Sequence, residues 1–389
     1  MSAYFFKTLT QNDSTTSRTL LHESVPITGT LVSGTYEVTS AEREVNIKTY
    51  SHGMFQSVYD YPYQSSSANH IFDITTGYHS ASAQRGANSA SYGALGVQDA
   101  KKLNIYSQMA QVLVGYDTNG NIRKFDFDGD HDDSANKKDS LVFFNFSRLL
   151  VKDEIKKGSF SMTFNTGSDP NTPSSGSATQ PGGHVTLSDT SAKTNYRANS
   201  PAGEYGFLKS SNTGLTAGLV YYQAGIACVD STLFSVNVRD DHVAGSDKSA
   251  PIIMHSGSTA QAEGQTHNNT WDHNDLFRSG TIDQAADAYR NRLHSISFNN
   301  TTELNSTIYF CRAHQSEFNY SSNPTYLSGS KIRIKTDTGT NEFANPPMSY
   351  VTTVGLYSPD NELLAVAKLS EPIKKTPVNE LNFRVRLDF

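Results

Sequence analysis

The chain has 389 residues, 36% of them hydrophobic and 18% charged, with a net charge of −6; its 32 Lys and Arg form no long basic run, which argues against a groove tracking nucleic-acid phosphates. Abundant Ser, Thr, Asn and Gly beside 20 Tyr and 20 Phe suit short strands joined by polar turns and disfavour a helical bundle. No stretch approaches the roughly 18 consecutive apolar residues of a membrane span, and the first twenty residues lack the apolar centre of a signal peptide, so cytosolic synthesis and folding, without a membrane, are expected.

Along the first 90 residues periodicity is brief. Val45, Ile47 and Thr49 alternate with Glu44, Asn46 and Lys48, which predicts a strand. The following FQSVYDYPYQSSSANHIFDITTGYHSAS mixes aromatics with small polar residues and reads as an extended arm or a long loop, with Phe55, Tyr59, Tyr61, Tyr63 and Phe72 as interface candidates. From Val97 to Leu113, Ala100, Leu103, Tyr106, Ala110 and Leu113 recur at helical spacing, with Met109 beside them. Gly115 is placed to cap that helix, and Lys101 and Lys102 fall on its polar side.

Leu141 to Phe146, reading LVFFNF, predicts a buried strand. SRLLVKDEIKKG adds a short helix closed by Gly158, and Phe160, Met162 and Phe164 then alternate along a strand. Asn165 to His184 is a tract of turn formers that reads as a surface loop or linker. Strands resume in GLVYYQAGIACVD, split at Gly225, and in LFSVNV; after a polar stretch from Asp240 to Gly280, TIDQAADAYRNRLHS places Ile282, Ala286, Tyr289 and Leu293 at helical spacing with Asp283 at the amino end.

The last hundred residues carry the cleanest β signal. Ser295 to Phe298, Thr307 to Arg312 and Lys331 to Lys335 are short strands, and Tyr350 to Tyr357 joins Leu363 to Leu369 through SPDN as a hairpin ended by Pro372. The closing LNFRVRLDF puts Leu381, Phe383, Val385, Leu387 and Phe389 on one face, and it is expected to share one antiparallel sheet with that hairpin. The fold expected is mainly β with a few short helices: an antiparallel β-sandwich-like core with long irregular loops and arms. Its sections are 1–93, an N-terminal strand and arm; 94–164, helix plus strands; 165–205, a flexible loop or linker; and 206–389, a C-terminal β-rich domain.

Few residues suggest chemistry. Asp126, Asp128, Asp130, Asp132 and Asp133 are spaced as in loops that wrap a hard cation, which makes Asp126, Asp128 and Asp130 the metal candidates. An EF-hand loop starting at Asp126 would want Gly where His131 stands and Glu where Lys137 stands, so a solvated acidic turn is the expectation, with no cofactor. His267, Asp272, His273 and Asp275 around Trp271 match no metal-ligand spacing and read as a polar loop. Cys228 and Cys311 lie in apolar runs and read as buried thiols. Phosphate loops, dinucleotide fingerprints, nucleophile elbows, HExxH and paired CxxC motifs do not occur, so no enzyme is expected; carboxylate-based glycosidases leave no such motif.

GLVYYQAGIACV from Gly218, EFNYSSNPTY from Glu317, FSRLLVKDEIKKGSFSMTF from Phe146 and VTTVGLYSPDNELLAVAKLSEPIKKTPVNELNFRVRLDF at the C-terminal end resemble virion structural proteins of tailed bacteriophages, in particular the contractile-tailed phages of cyanobacteria. The resemblance covers roughly a third of the chain. It implies a tail or baseplate subunit acting by protein–protein assembly in a homo- or hetero-oligomer with other virion structural proteins, located in the virion after folding in the host cytoplasm. The alternatives are a neck or capsid-associated structural protein and, in another class, a virion-associated carbohydrate-binding or depolymerising protein.

Overall fold

The computed structural model describes residues 6–28, 46–80, 97–131, 136–165, 184–235, 252–253, 281–321, 327–328, 331–332 and 347–388. In chain order the first strands are β1 (Ser14–Thr28), β2 (Ile47–Thr49), β3 (Gln56–Tyr59), β4 (His70–Tyr78), β5 (Phe125–Asp126), β6 (Lys137–Lys138) and β7 (Ser140–Phe146). Next come β8 (Glu154–Ile155), β9 (Ser161–Asn165), β10 (His184–Ser188), β11 (Tyr196–Ser200), β12 (Gly203–Ser210), β13 (Thr216–Tyr221), β14 (Ile226–Asp230), β15 (Phe234–Ser235) and β16 (Ile252–Ile253). The last are β17 (Leu293–Ala313), β18 (Leu327–Ser328), β19 (Lys331–Ile332), β20 (Ser349–Tyr357), β21 (Leu363–Lys375) and β22 (Leu381–Asp388). Helices α1 (Val97–Leu113) and α2 (Ile282–Arg292) and a single helical turn, Arg148–Val151, complete the regular elements used below.

The chain is mainly β, as its composition led us to expect, and its principal sheet has 14 strands in the order β1-β17-β9-β10-β12-β13-β14-β7-β4-β3-β2, with β11 beside β12 and β8 and β22 beside β17. By density of contacts the chain falls into two units, Leu21–Thr302 and the pair of segments Met1–Leu20 and Glu303–Phe389.

Leu21–Thr302 holds the core. Strand β7 is central, antiparallel to both β4 and β14, and its consecutive apolar residues feed two opposite faces because side chains alternate along a strand. Leu141 and Phe143 join Ile105, Tyr106, Ala110 and Leu113 of α1, Tyr205 and Phe207 of β12 and Leu219 and Tyr221 of β13 on one face. Val142, Phe144 and Phe146 join Phe72, Ile74, Met162, Phe164, Val229 and Phe298 on the other, together with Ala285, Ala286 and Tyr289 of α2. Phe298 of β17 lies six places from β7 in the strand order, yet its ring centroid is 5.2 Å from that of Phe146. The sheet therefore folds back across this inner face, and the core is sandwich-like.

Helix α1 has the predicted bounds, and Gly115 closes it with φ +87, its amide donating a hydrogen bond of 2.9 Å to the Ala110 carbonyl. Of the expected stripe, Tyr106, Ala110 and Leu113 are buried and Leu103 packs half-buried on the core, but Ala100 is exposed, and Lys102, expected on the polar side, is fully buried. The helix comes close to β4 here: an added Cβ on Gly77 would stand 2.8 Å from the Tyr106 amide nitrogen and 2.9 Å from the Lys102 carbonyl oxygen. The helix backbone rests on that glycine, an approach that a side chain there would prevent.

Several readings are corrected. Residues 51–80 are not an irregular arm: β3 and β4 lie in them, and β4 is buried at Ile71, Phe72, Ile74, Thr75, Thr76 and Tyr78. Both faces of β4 are covered, which removes the alternation that would have marked it. Ser295 to Phe298 and Thr307 to Arg312 belong to one 21-residue strand, β17. Pro372 does not end the hairpin, because β21 continues to Lys375 and pairs Ile373 with Val351 beyond a register shift. β22 alternates as expected, but it pairs with β17 from Ser306↔Asp388 to Ala313↔Leu381, while β20 and β21 form their own two-stranded sheet. The turn at Arg148–Val151 ends at Lys152, well before Gly158. Both cysteines are free; Cys228 is buried and Cys311 only half-buried. The polar stretch with Trp271, His267, Asp272, His273 and Asp275, and Asp132 and Asp133, lie outside the described residues.

The unit formed by Met1–Leu20 and Glu303–Phe389 is thin. Among its described residues the buried apolar side chains are Ala313, Leu356 and Val385. Polar contacts do much of the holding: Lys375 Nζ donates to the Gln315 carbonyl at 3.1 Å, to Asn319 Oδ1 at 2.9 Å and to the Thr376 carbonyl at 2.9 Å. Lys7 pairs with Glu317 at 2.7 Å, and Arg312 pairs with Glu380.

Candidate functional site

Three surfaces compete for a functional role, and the first is the aromatic group at the β2 and β3 end of the sheet. The Phe55 ring lies 4.9 Å from Tyr50 and 5.1 Å from His52. Tyr59 lies 6.3 Å from Tyr63 and 5.5 Å from His70. Lys48 Nζ sits over both Tyr50, at 4.9 Å, and Tyr63, at 6.0 Å, so the two groups share one cation. Phe55, Tyr59 and Tyr63 are half-buried and Tyr61 is exposed. These four lie partly or fully exposed at the β2 and β3 end of the sheet, whereas Phe72 is fully buried, 5.9 Å from Phe144, with its area inside the core.

The second is the acidic loop between β5 and β6, which pair through Phe125↔Lys138 and Asp126↔Lys137. Asp126, Asp128 and Asp130 each offer a carboxylate oxygen, and these lie within 4.8 Å of one another; Asp126 is buried, Asp128 half-buried and Asp130 exposed. The Asp128 amide donates to Asp126 Oδ1 at 3.3 Å, and the His131 amide donates to Asp126 Oδ2 at 2.8 Å. Burial opposes ionisation of Asp126, yet hydrogen bonds with the Asp128 side chain, Lys137 and the His131 amide outweigh it and hold the carboxyl below its ordinary range.

Neighbouring strands frame this loop. Asn199 of β11 donates to the Gly129 carbonyl at 2.9 Å, and Tyr205 of β12 donates to Asn199 at 2.9 Å. Gly129 has φ +73, and an added Cβ there would stand 2.9 Å from Arg197 Cγ and from Tyr205 Oη, so only glycine fits. Both residues that break the EF-hand pattern have a structural role. His131 adopts φ +64, the left-handed conformation that the pattern reserves for glycine. Lys137, in the place of the closing Glu, brings its ammonium to 2.7 Å from Asp126 Oδ2. The spacing of the aspartates was readable; the burial of His131 beside them was not, since nothing in DFDGDHDD separates an inward from an outward imidazole.

The third surface was missed by sequence reasoning. On the β20–β21 ribbon, Tyr350, Tyr357, Leu363, Leu364, Val366 and Ile373 are exposed, Leu364 to 67%. A single sheet with one buried face was expected over Tyr350 to Phe389 from the hairpin signal and the alternation of the closing strand, but in β20 the buried residues are Ser349 and Leu356, and in β21 Lys375. No helix among the described residues is long and apolar enough to cross a membrane. Comparisons of the chain with protein-family models, with curated proteins and with solved structures return no match.

Proposed function

We propose that this chain is a structural subunit of a tailed-phage particle, in the tail or baseplate, acting by permanent protein–protein assembly. The observation that carries the reading is the exposed apolar surface of the β20–β21 ribbon in a unit whose described residues bury only Ala313, Leu356 and Val385 as apolar side chains. A two-stranded ribbon is marginal alone in water, and a hydrophobic, long, two-stranded surface is what a permanent neighbour would cover. The phage-like closing segment begins at Val351 and so includes β21, β22 and all of β20 except Ser349 and Tyr350, which puts the resemblance and most of the exposed surface on the same residues. The half-buried aromatics Phe55, Tyr59 and Tyr63 and exposed Tyr61 supply a second patch suited to an interface core.

The test is composition and protection. Mass spectrometry of purified particles is expected to find the chain, and limited proteolysis to cut the β20–β21 ribbon in the free protein while sparing it in the particle. Absence from particles, or equal protection in both forms, overturns the proposal. Turnover of a polysaccharide by the isolated protein would move the reading to a virion-associated depolymerase.

A further inference from the structure

His131 is the least satisfied polar side chain of the acidic loop. Its side chain is 7% exposed, and neither Nδ1 nor Nε2 has a hydrogen-bond partner. A buried imidazole left without hydrogen bonds keeps an uncompensated desolvation cost, so a buried ring with two orphaned nitrogens needs a reason. Nδ1 lies 3.8 Å from Asp126 Oδ2. That oxygen is already held by the Lys137 ammonium at 2.7 Å and the His131 amide at 2.8 Å. Beside the imidazole lie the carboxylate groups of Asp126, Asp128 and Asp130, each offering an oxygen within 4.8 Å of the others.

We propose that Asp126, Asp128 and Asp130 with His131 form a binding site for a divalent first-row transition ion, Zn²⁺ or Mn²⁺, in preference to Ca²⁺. Three carboxylates and one imidazole make a mixed oxygen and nitrogen donor set, which suits these ions, whereas Ca²⁺ takes six to eight oxygens. The place that would hold the bidentate glutamate of a Ca²⁺ loop holds Lys137, whose charge offsets one of the three aspartates. The loop is positioned before any ion arrives. Asn136 donates to Asp128 Oδ2 at 2.9 Å, Asn199 fixes the Gly129 carbonyl, and Gly129 is pressed against Arg197 and Tyr205. An ion there would tie the β5–β6 hairpin to β11 and β12 through ligands already in place.

The experiment is calorimetric titration of the full chain, stripped with a chelator, against ZnCl₂, MnCl₂ and CaCl₂, with circular dichroism of each variant as a check of folding. The expected result is one saturable Zn²⁺ or Mn²⁺ site that is lost in Asp128→Ala, is weakened roughly tenfold or more in His131→Ala, and exceeds any Ca²⁺ affinity. Asp130→Asn, at an exposed position, decides the matter if the other two variants misfold: weakened binding supports the site, and unchanged binding overturns it. Absence of a saturable site, a Ca²⁺ preference, or Zn²⁺ binding indifferent to these substitutions, as at histidines elsewhere in the chain, each overturns the proposal.

Discussion

The two units of this chain use the same period-two strand code and obtain different things from it. In Leu21–Thr302 each apolar residue of β7 meets a cover, α1 on one face and the folded-back sheet with α2 on the other, so Val142, Phe143 and Phe144 are all fully buried. In the other unit β22 alternates as strictly, but its inward residues Leu381, Phe383 and Leu387 are only half-buried and Val385 alone passes into burial. β21 goes further, with Leu363, Leu364 and Val366 open to solvent. Alternation thus sorts side chains between two faces; whether a face becomes a core depends on what is laid over it.

The strongest break of this contrast is Phe144→Ala. The ring touches Phe72 and Phe164 across the inner face, and its removal is expected to cost about 3–5 kcal/mol, seen as a lower denaturant midpoint for the main unfolding transition. A loss below about 1 kcal/mol would mean that this core is far looser than its burial indicates.

A second test uses pH. Burial, partly offset by Asp99, lowers the Lys102 pKa from 10.5 to about 8. Between these values the unfolded chain keeps a proton that the folded chain has released, so this residue makes stability rise with pH, by at most about 1.4 kcal/mol per unit. The buried Cys228 thiol and Tyr106 hydroxyl are pushed up by burial and act oppositely, because the folded state keeps protons that the unfolded state loses. The readout is therefore the difference between parent and Lys102→Met. Lys102→Met is expected to be the more stable protein near neutrality and to lose that advantage as pH rises from about 8 to 10; a gap that stays constant would show that Lys102 does not titrate in this range.

The smallest effect is predicted at the ribbon. Leu364→Ser, at a side chain 67% exposed, should change the stability of the free chain by no more than about 0.5 kcal/mol, while reducing its incorporation into particles in a competition assay. Val385→Asp provides the contrast within the same unit: it is expected to melt the β17–β22 pairing, measured by faster amide exchange at Tyr309 and Cys311, and to leave the β7 region protected. Loss of protection throughout would mean that the two units unfold as one.

The sequence by itself determined the local elements whose cause is local. Helical spacing with a glycine stop defined Val97–Leu113, the unbroken LVFFNF run marked the doubly covered β7, and strict alternation marked β22. It also determined the spacing of Asp126, Asp128 and Asp130. Only the tertiary structure decided the long-range matters: that β22 pairs with β17 rather than with the neighbouring hairpin, that Lys102 is buried where α1 packs on β4, and that HIFDITTGY is a buried strand. It also decided that the His131 side chain is buried and that Tyr350, Tyr357, Leu363, Leu364, Val366 and Ile373 of the β20–β21 ribbon are left in solvent. The reason is common to all five: a period along the chain states which residues share a face, but burial and pairing are relations to segments tens to hundreds of residues away, and no local pattern encodes them.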